Sequence, residues 1–191
     1  MRRFLAEQRT LRETYPAVGA TAKTPPTGYD VDRTRVRLGQ GQAVFDSARA
    51  ALERWEQFQL GWAEALPTRT PIRTGEVVAV LGHALGLWWL NACRVVYVVD
   101  ESGPGPTTRF GFAYGTLPQH VESGEERFLI EWDRDSDRVS YDILAFSRPY
   151  HALARIGYPL VRRLQRRFGR DSARAMRAAV QSPREAGADP F

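Results

Sequence analysis

Residues 110–128, FGFAYGTLPQHVESGEERF, constrain this chain more than any other stretch. From Phe110 onward, Phe112, Tyr114 and Thr116 fall on one face of a strand, while Gly111, Ala113 and Gly115 fall on the other. Such a strand has one bulky and one bare face. A second aromatic pattern follows, and the connector between the two carries His120, Glu122, Glu125 and Glu126. This combination predicts a walled pocket with a polar mouth.

The rest of the chain supplies partners for that strand pair. Residues 1–14 read as a short helix with Phe4, Leu5 and Leu11 on one side; Pro16, Gly19, Pro25, Pro26 and Gly28 then forbid regular structure, so 1–28 is expected to be an arm and linker. Residues 29–38 alternate as a strand with one wet face of arginines. Val44, Phe45, Ala48, Leu52, Trp55, Phe58 and Trp62 recur at helical steps, predicting an amphipathic helix or a helix pair broken near Gly61. Short strands follow at 76–81, 87–90, 93–100, 109–117, 126–133 and 139–147, separated by turn-forming Gly, Pro and Asp. From residue 152, Leu153, Ile156, Leu160, Leu164, Phe168, Ala175, Met176 and Ala179 mark one stripe of a long helix, with Pro159 expected to kink its first turns. The tail 183–191 reads as frayed. This order predicts an α+β domain over 29–182, in which a curved antiparallel sheet wraps a long C-terminal helix, the helix-grip arrangement.

Composition excludes several function classes. A chain of 191 residues suits a single core. No apolar run approaches the ~20 residues of a membrane span, and MRRFLAEQRT lacks the features of a secretory signal, so the cytoplasm is the expected compartment. Cys93 is alone, and His83 has no second ligand at metal spacing, so neither a disulfide within the chain nor a metal is expected. No cofactor is expected either: GQGQ at 39–42 lacks the third glycine of a dinucleotide fingerprint, and no GxSxG elbow occurs. Lys23 is the only lysine, a preference for arginine that reflects GC-rich, bacterial coding as much as chemistry.

The stretches TYPAVGAT, RVRLGQG, CRVVYVVDE, RFGFAYGTLPQHVESGEERF and YDILAFSRP, in this order, resemble the DUF1990 family, from about residue 14 to residue 180. The resemblance implies a fold akin to the START and birch-pollen-allergen helix-grip proteins, which hold apolar ligands between sheet and long helix. It carries no catalytic roles.

Within that frame the leading expectation is a binder of an apolar or amphipathic small molecule. Its walls are assigned to Tyr97, Phe112, Tyr114, Phe128, Trp132 and Tyr141, with Leu164 and Phe168 beneath and His120 and Glu122 at the opening. The bland reading of those aromatics is plain core. An enzyme on the same scaffold would use His120 with Glu122 or Glu125 as acid and base; the alternative is a hairpin turn whose glutamates accept backbone hydrogen bonds. Asp142 calls for an ion pair, with Arg148 or Arg94 as partner. HALGLWWLN at 83–91 is placed along the cavity or over its entrance, and His151 at the surface or as a helix cap. A third reading takes Arg155, Arg162, Arg166, Arg170 and Arg177 as a basic stripe for an anionic membrane or nucleic acid. Nucleic acid is disfavoured, because no aromatic platform interleaves the arginines.

Overall fold

The computed structural model describes residues 1–84, 86–150 and 158–182; His151, Leu153, Arg155, Ile156 and the tail lie outside the described residues. Seven antiparallel strands form one sheet: β1 (Asp30–Gln40), β2 (Ala63–Leu66), β3 (Val77–Ala84), β4 (Leu87–Glu101), β5 (Thr107–Thr116), β6 (Glu122–Asp133) and β7 (Arg138–Pro149). The spatial order β1-β7-β6-β5-β4-β3-β2 is a meander that β1 extends by pairing with β7. Among the described residues three α-helices accompany it: α1 (Arg2–Gln8), α2 (Gln42–Glu53) and α3 (Tyr158–Gln181). The sheet curls around α3, so the expected helix-grip architecture is the observed one.

Four local readings change. Residues 87–101 form one continuous strand, because β3 and β5 hydrogen-bond to its two edges; a bulge between Val95 and Tyr97 absorbs the irregularity. The edge strand β2 escapes the sequence pattern, since AEAL is short and its pairing with β3 supplies the order. Helix α2 stops before Gly61: Trp55 takes a left-handed φ of 59° and donates its indole N–H to the Thr70 carbonyl at 2.8 Å, with a 3-10 turn at Glu56–Phe58 beyond it. Finally, β6 begins at Glu122, so the connector shrinks to the turn around Pro118 and His120, where the His120 N–H meets the Leu117 carbonyl at 2.8 Å. Pro159 occupies the first turn of the described α3, where a missing N–H breaks no helical bond.

On the concave face, Phe112, Phe128, Ile130 and Tyr141 pack under Trp55, Phe58 and Met176. Phe58 is the hub, with ring centroids 5.0 Å from Phe168 and 5.6 Å from Phe128. Part of the convex face is covered by residues from the first 28. Leu5 of α1 packs on Val77, Ala79, Ala92 and Leu117, and the Arg94 guanidinium pairs with Glu13 at 2.8 Å and with the Leu11 carbonyl at 2.8 Å. Tyr15 then crosses the bare face of β5, lying so close to Gly115 that a Cβ there would collide with its hydroxyl. Asp142 finds its cations in Arg33 and Arg127, both at 2.9 Å. Neither expected partner reaches it: Arg148 stacks on Tyr29 at 4.6 Å and Arg94 is engaged by the arm.

The clasp of the arm is Glu125, which is 3% exposed and accepts from the Tyr15 hydroxyl (2.8 Å), the Gly19 N–H (2.6 Å), the Thr21 N–H (2.9 Å) and the Thr21 hydroxyl. Removing it strands several buried donors at once. Glu125→Ala is therefore expected to lower unfolding free energy by about 3 kcal/mol. In denaturant titration the midpoint should fall, and limited proteolysis should now cut within residues 16–28; an unchanged cleavage pattern would refute the clasp.

Candidate functional site

Helix α3 is seated by one half only. Its buried residues, Gly169, Ser172, Ala173 and Met176, all lie from the middle of the helix toward its C-terminal end. Their small size lets the backbone approach the sheet: a Cβ on Gly169 would sit 2.6 Å from Thr34 Oγ1, and the Ser172 hydroxyl meets the Tyr141 hydroxyl at 3.0 Å. Toward the N-terminal end, Leu160, Leu164 and Phe168 are too bulky for such contact and stand off as a roof. Beneath them lies a cavity of about 860 Å³, walled by Val80, Trp89, Tyr114, Ile143 and Ala145 with Phe58 and Trp62 at one side.

The expected site residues divide accordingly. Tyr114, His120, Glu122, Leu164 and Phe168 line the cavity. Phe112, Phe128 and Tyr141 are fully buried and belong to the packed end of the trough, where Trp132 lies beside Phe45 at 6.2 Å. That end is filled because α2 and the Trp55–Phe58 segment press into it. Tyr97 points to the convex face, its hydroxyl 2.7 Å from that of Thr21, and the Glu125 carboxylate is spent on the arm. Sequence reasoning missed Val80, Glu126, Ile143 and Gln165 as lining residues, whereas Leu87, Trp89 and Asn91 come from the HALGLWWLN stretch expected along the cavity or its entrance. Alternation back from Phe128 puts Glu126 on the same face within the strand expected at 126–133, a signal available in the sequence.

The polar wall comes from β6 and its turn. Glu126 accepts the Tyr114 hydroxyl at 2.7 Å, and burial, with the charges of Glu122 and Asp32, pushes its carboxyl up to about 7. Glu122 Oε1 accepts from Ser147 Oγ (3.0 Å) and Gln165 Nε2 (2.6 Å). Burial pushes Glu122 up to about 7 as well, against the lowering effect of those bonds and of Arg162. His120 does not meet either carboxylate side chain: its Nδ1 accepts the Glu122 backbone N–H at 3.0 Å, and burial holds the ring down at about 4, hence neutral. Tyr114 stays a phenol, because burial and then Glu126 push its hydroxyl well up. Cys93 is fully buried, and its thiol is likewise pushed well up by burial. Among the described residues no group of histidine, cysteine and acids could hold a metal ion.

The opening is apolar. Leu87 (69% exposed), Leu160 (40%) and Val121 (38%) border it, while Trp88 (65% exposed), alternating with Leu87 and Trp89 on β4, falls on the opposite face of the sheet with His83 stacked on its ring at 4.3 Å. Several helix arginines are already engaged: Arg162 by Asp32 (Nη2 to Oδ1, 2.8 Å), Arg167 by Asp171 and the Trp62 ring, Arg177 by the Arg37 carbonyl. Arg163, Arg166 and Arg170 are exposed. No described helix is long and apolar enough to cross a membrane.

A family model described as a domain of unknown function, DUF1990, matches residues 14–175. The chain is 41% identical over 162 residues to a UPF0548 protein of Dictyostelium discoideum, covering 82% of this chain and 75% of that one. It is 38% identical over 189 residues to a UPF0548 protein of Deinococcus radiodurans, covering 91% and 90%. Among solved structures, a hypothetical protein from Helicobacter pylori superposes with a TM-score of 0.53 at 11% identity, covering 88% of this chain and 96% of that chain, a likeness of fold.

The raised carboxyls have a consequence for stability. A carboxyl whose folded value lies above its unfolded one stabilises fully below about 4.5, and that contribution is lost as pH rises through about 7. His120 acts oppositely, losing stability as pH falls from 6.5 toward 4, so the carboxyl effect is cleanest above pH 6.5. Glu126→Gln keeps an acceptor for Tyr114 and removes the ionisation. Relative to the parent it should gain about 2 kcal/mol between pH 5 and 8, read as a widening gap in urea midpoints. A gap independent of pH would show that Glu126 ionises freely.

Proposed function

This chain belongs to the DUF1990 family, and we propose that it binds an apolar or amphipathic small molecule, in the cytoplasm, between its sheet and α3. The observation that carries the reading is the cavity of about 860 Å³ under the N-terminal half of α3. Ligand sites typically span ~300–1,000 Å³ and are mostly apolar with a few converging polar groups. Val80, Trp89, Ile143, Leu164 and Phe168 meet the first requirement, and Tyr114, Glu122 and Glu126 the second. The exposed apolar residues Leu87, Val121 and Leu160 at the opening provide a path on which an apolar molecule is never fully returned to water.

A second reading places acid–base chemistry at the same wall. Glu122 and Glu126, both near 7, are poised to exchange protons at neutral pH, as general acids and bases require. Turnover lost in Glu126→Gln while binding persists would favour it.

The binding reading predicts that the purified protein retains a molecule visible in the native mass spectrum, and that after delipidation it takes up Nile red with a rise in fluorescence. Ala145 lines the cavity, and Ala145→Phe should fill it and weaken Nile red binding about tenfold, with the melting transition retained. An empty mass spectrum together with unchanged dye binding in the variant would remove the proposal.

A further inference from the structure

We infer that the cavity selects molecules carrying a protonated amine on an apolar body, the amine seated against the free carboxylate oxygen of Glu126. This deepens the binding reading and rests on it. The geometry is specific. Glu126 Oε2 is taken by the Tyr114 hydroxyl at 2.7 Å, whereas Oε1 has no hydrogen-bond partner among the described residues and the side chain borders the cavity. Glu122, on the same face of β6, likewise has Oε1 occupied by Ser147 and Gln165 while Oε2 has no hydrogen-bond partner among the described residues. Neither carboxyl forms an ion pair with a described residue, so each is an acid held in an apolar cavity with an unused acceptor.

The charged groups facing that wall come from four directions. Strand β1 contributes Asp30 and Asp32, β5 contributes Tyr114, the β5–β6 turn contributes neutral His120, and α3 contributes Tyr158, Arg162, Arg166 and Arg170. Asp30 is engaged by the Tyr158 hydroxyl, and Arg162 is held by Asp32 through both guanidinium nitrogens. Arg166 and Arg170 border the cavity but are exposed to solvent, and Arg33 of β1, also at its border, is paired with Asp142. The buried groups without an ion pair at this wall are therefore acids, Glu122 and Glu126, in a protein whose overall formal charge is +5. A ligand carboxylate or phosphate would bring like charge against two carboxyls in a medium that screens poorly. An ammonium group, which an unmatched apolar cavity would reject, here finds a counter-charge and an unused acceptor.

The proton balance follows. At neutral pH part of the Glu126 population holds a proton; pairing with an ammonium favours the carboxylate, so amine binding releases a fraction of a proton to solvent and tightens as pH rises from 6 to 8.

The test is competition for Nile red by decylammonium, decanol and decanoate, each below its micellar concentration. Decylammonium should displace the dye at concentrations at least tenfold lower than decanol, and decanoate should be the weakest. In Glu126→Gln the ratio of decylammonium to decanol potency should fall to about one, whatever the absolute affinity for Nile red; Glu126→Asp, which keeps the charge, should retain the preference, and serves if the Gln variant is poorly folded. A preference that survives in Glu126→Gln, or decanoate binding as well as decylammonium, overturns the amine assignment and leaves the binding reading standing. Failure of Nile red and decanol alike overturns the binding reading, and the amine assignment with it.

Discussion

Strand β6 is buried on both faces, and the pleat that alternates its side chains decides what each of its acids can do. Glu122 and Glu126 fall to the concave side with Phe128 and Ile130; Glu125 and Arg127 fall to the convex side with Leu129. A shift of one residue would exchange the two sets, sending the clasp of the arm into the cavity and the cavity acids under the arm. Register is fixed from both flanks, by a ladder of nine residue pairs to β5 and one of twelve to β7, in which Gly124 meets Ser147 so closely that a Cβ would strike the Phe146 carbonyl. The cover of each face and the character of the cavity follow from that register.

The second constraint is the uneven seating of α3. Burial on the sheet requires close backbone approach, and Gly169, Ser172 and Ala173 permit it where Leu160, Leu164 and Phe168 do not. A helix with small residues throughout would lie flat and leave no space; one with large residues throughout would need another support. The observed gradient produces a seated end and a raised end, with the aromatic cluster around Phe58 closing one side of the gap. The cavity is thus a product of side-chain size along one helix.

Much of this was legible beforehand where the periodicity was strong. The long helix, the meander, the bulky and bare faces of β5 and the enclosure of a space between sheet and helix all follow from alternation and helical spacing. The misreadings share one cause. Residues 122–125, ESGE, have poor intrinsic strand preference and read as a loop, yet neighbouring strands supply their hydrogen bonds. The same tertiary override joined 87–101 into one strand and ordered AEAL at the sheet edge. Because the loop reading gave Glu122 and Glu125 no fixed sides, those two glutamates looked equivalent.

By itself the sequence determined the elements and their order, since hydrophobic periodicity is a local property of the chain, and it singled out Tyr114, His120, Glu122, Leu164 and Phe168 as residues that now line the cavity. Only the tertiary structure decided which aromatics fill space and which border it, and which glutamate faces which side. Those outcomes depend on partners far along the chain: Trp55 and Phe58 pressing on Phe112 and Phe128, and Tyr15 and Thr21 reaching Glu125 across more than a hundred residues. No window of sequence contains both members of such a pair.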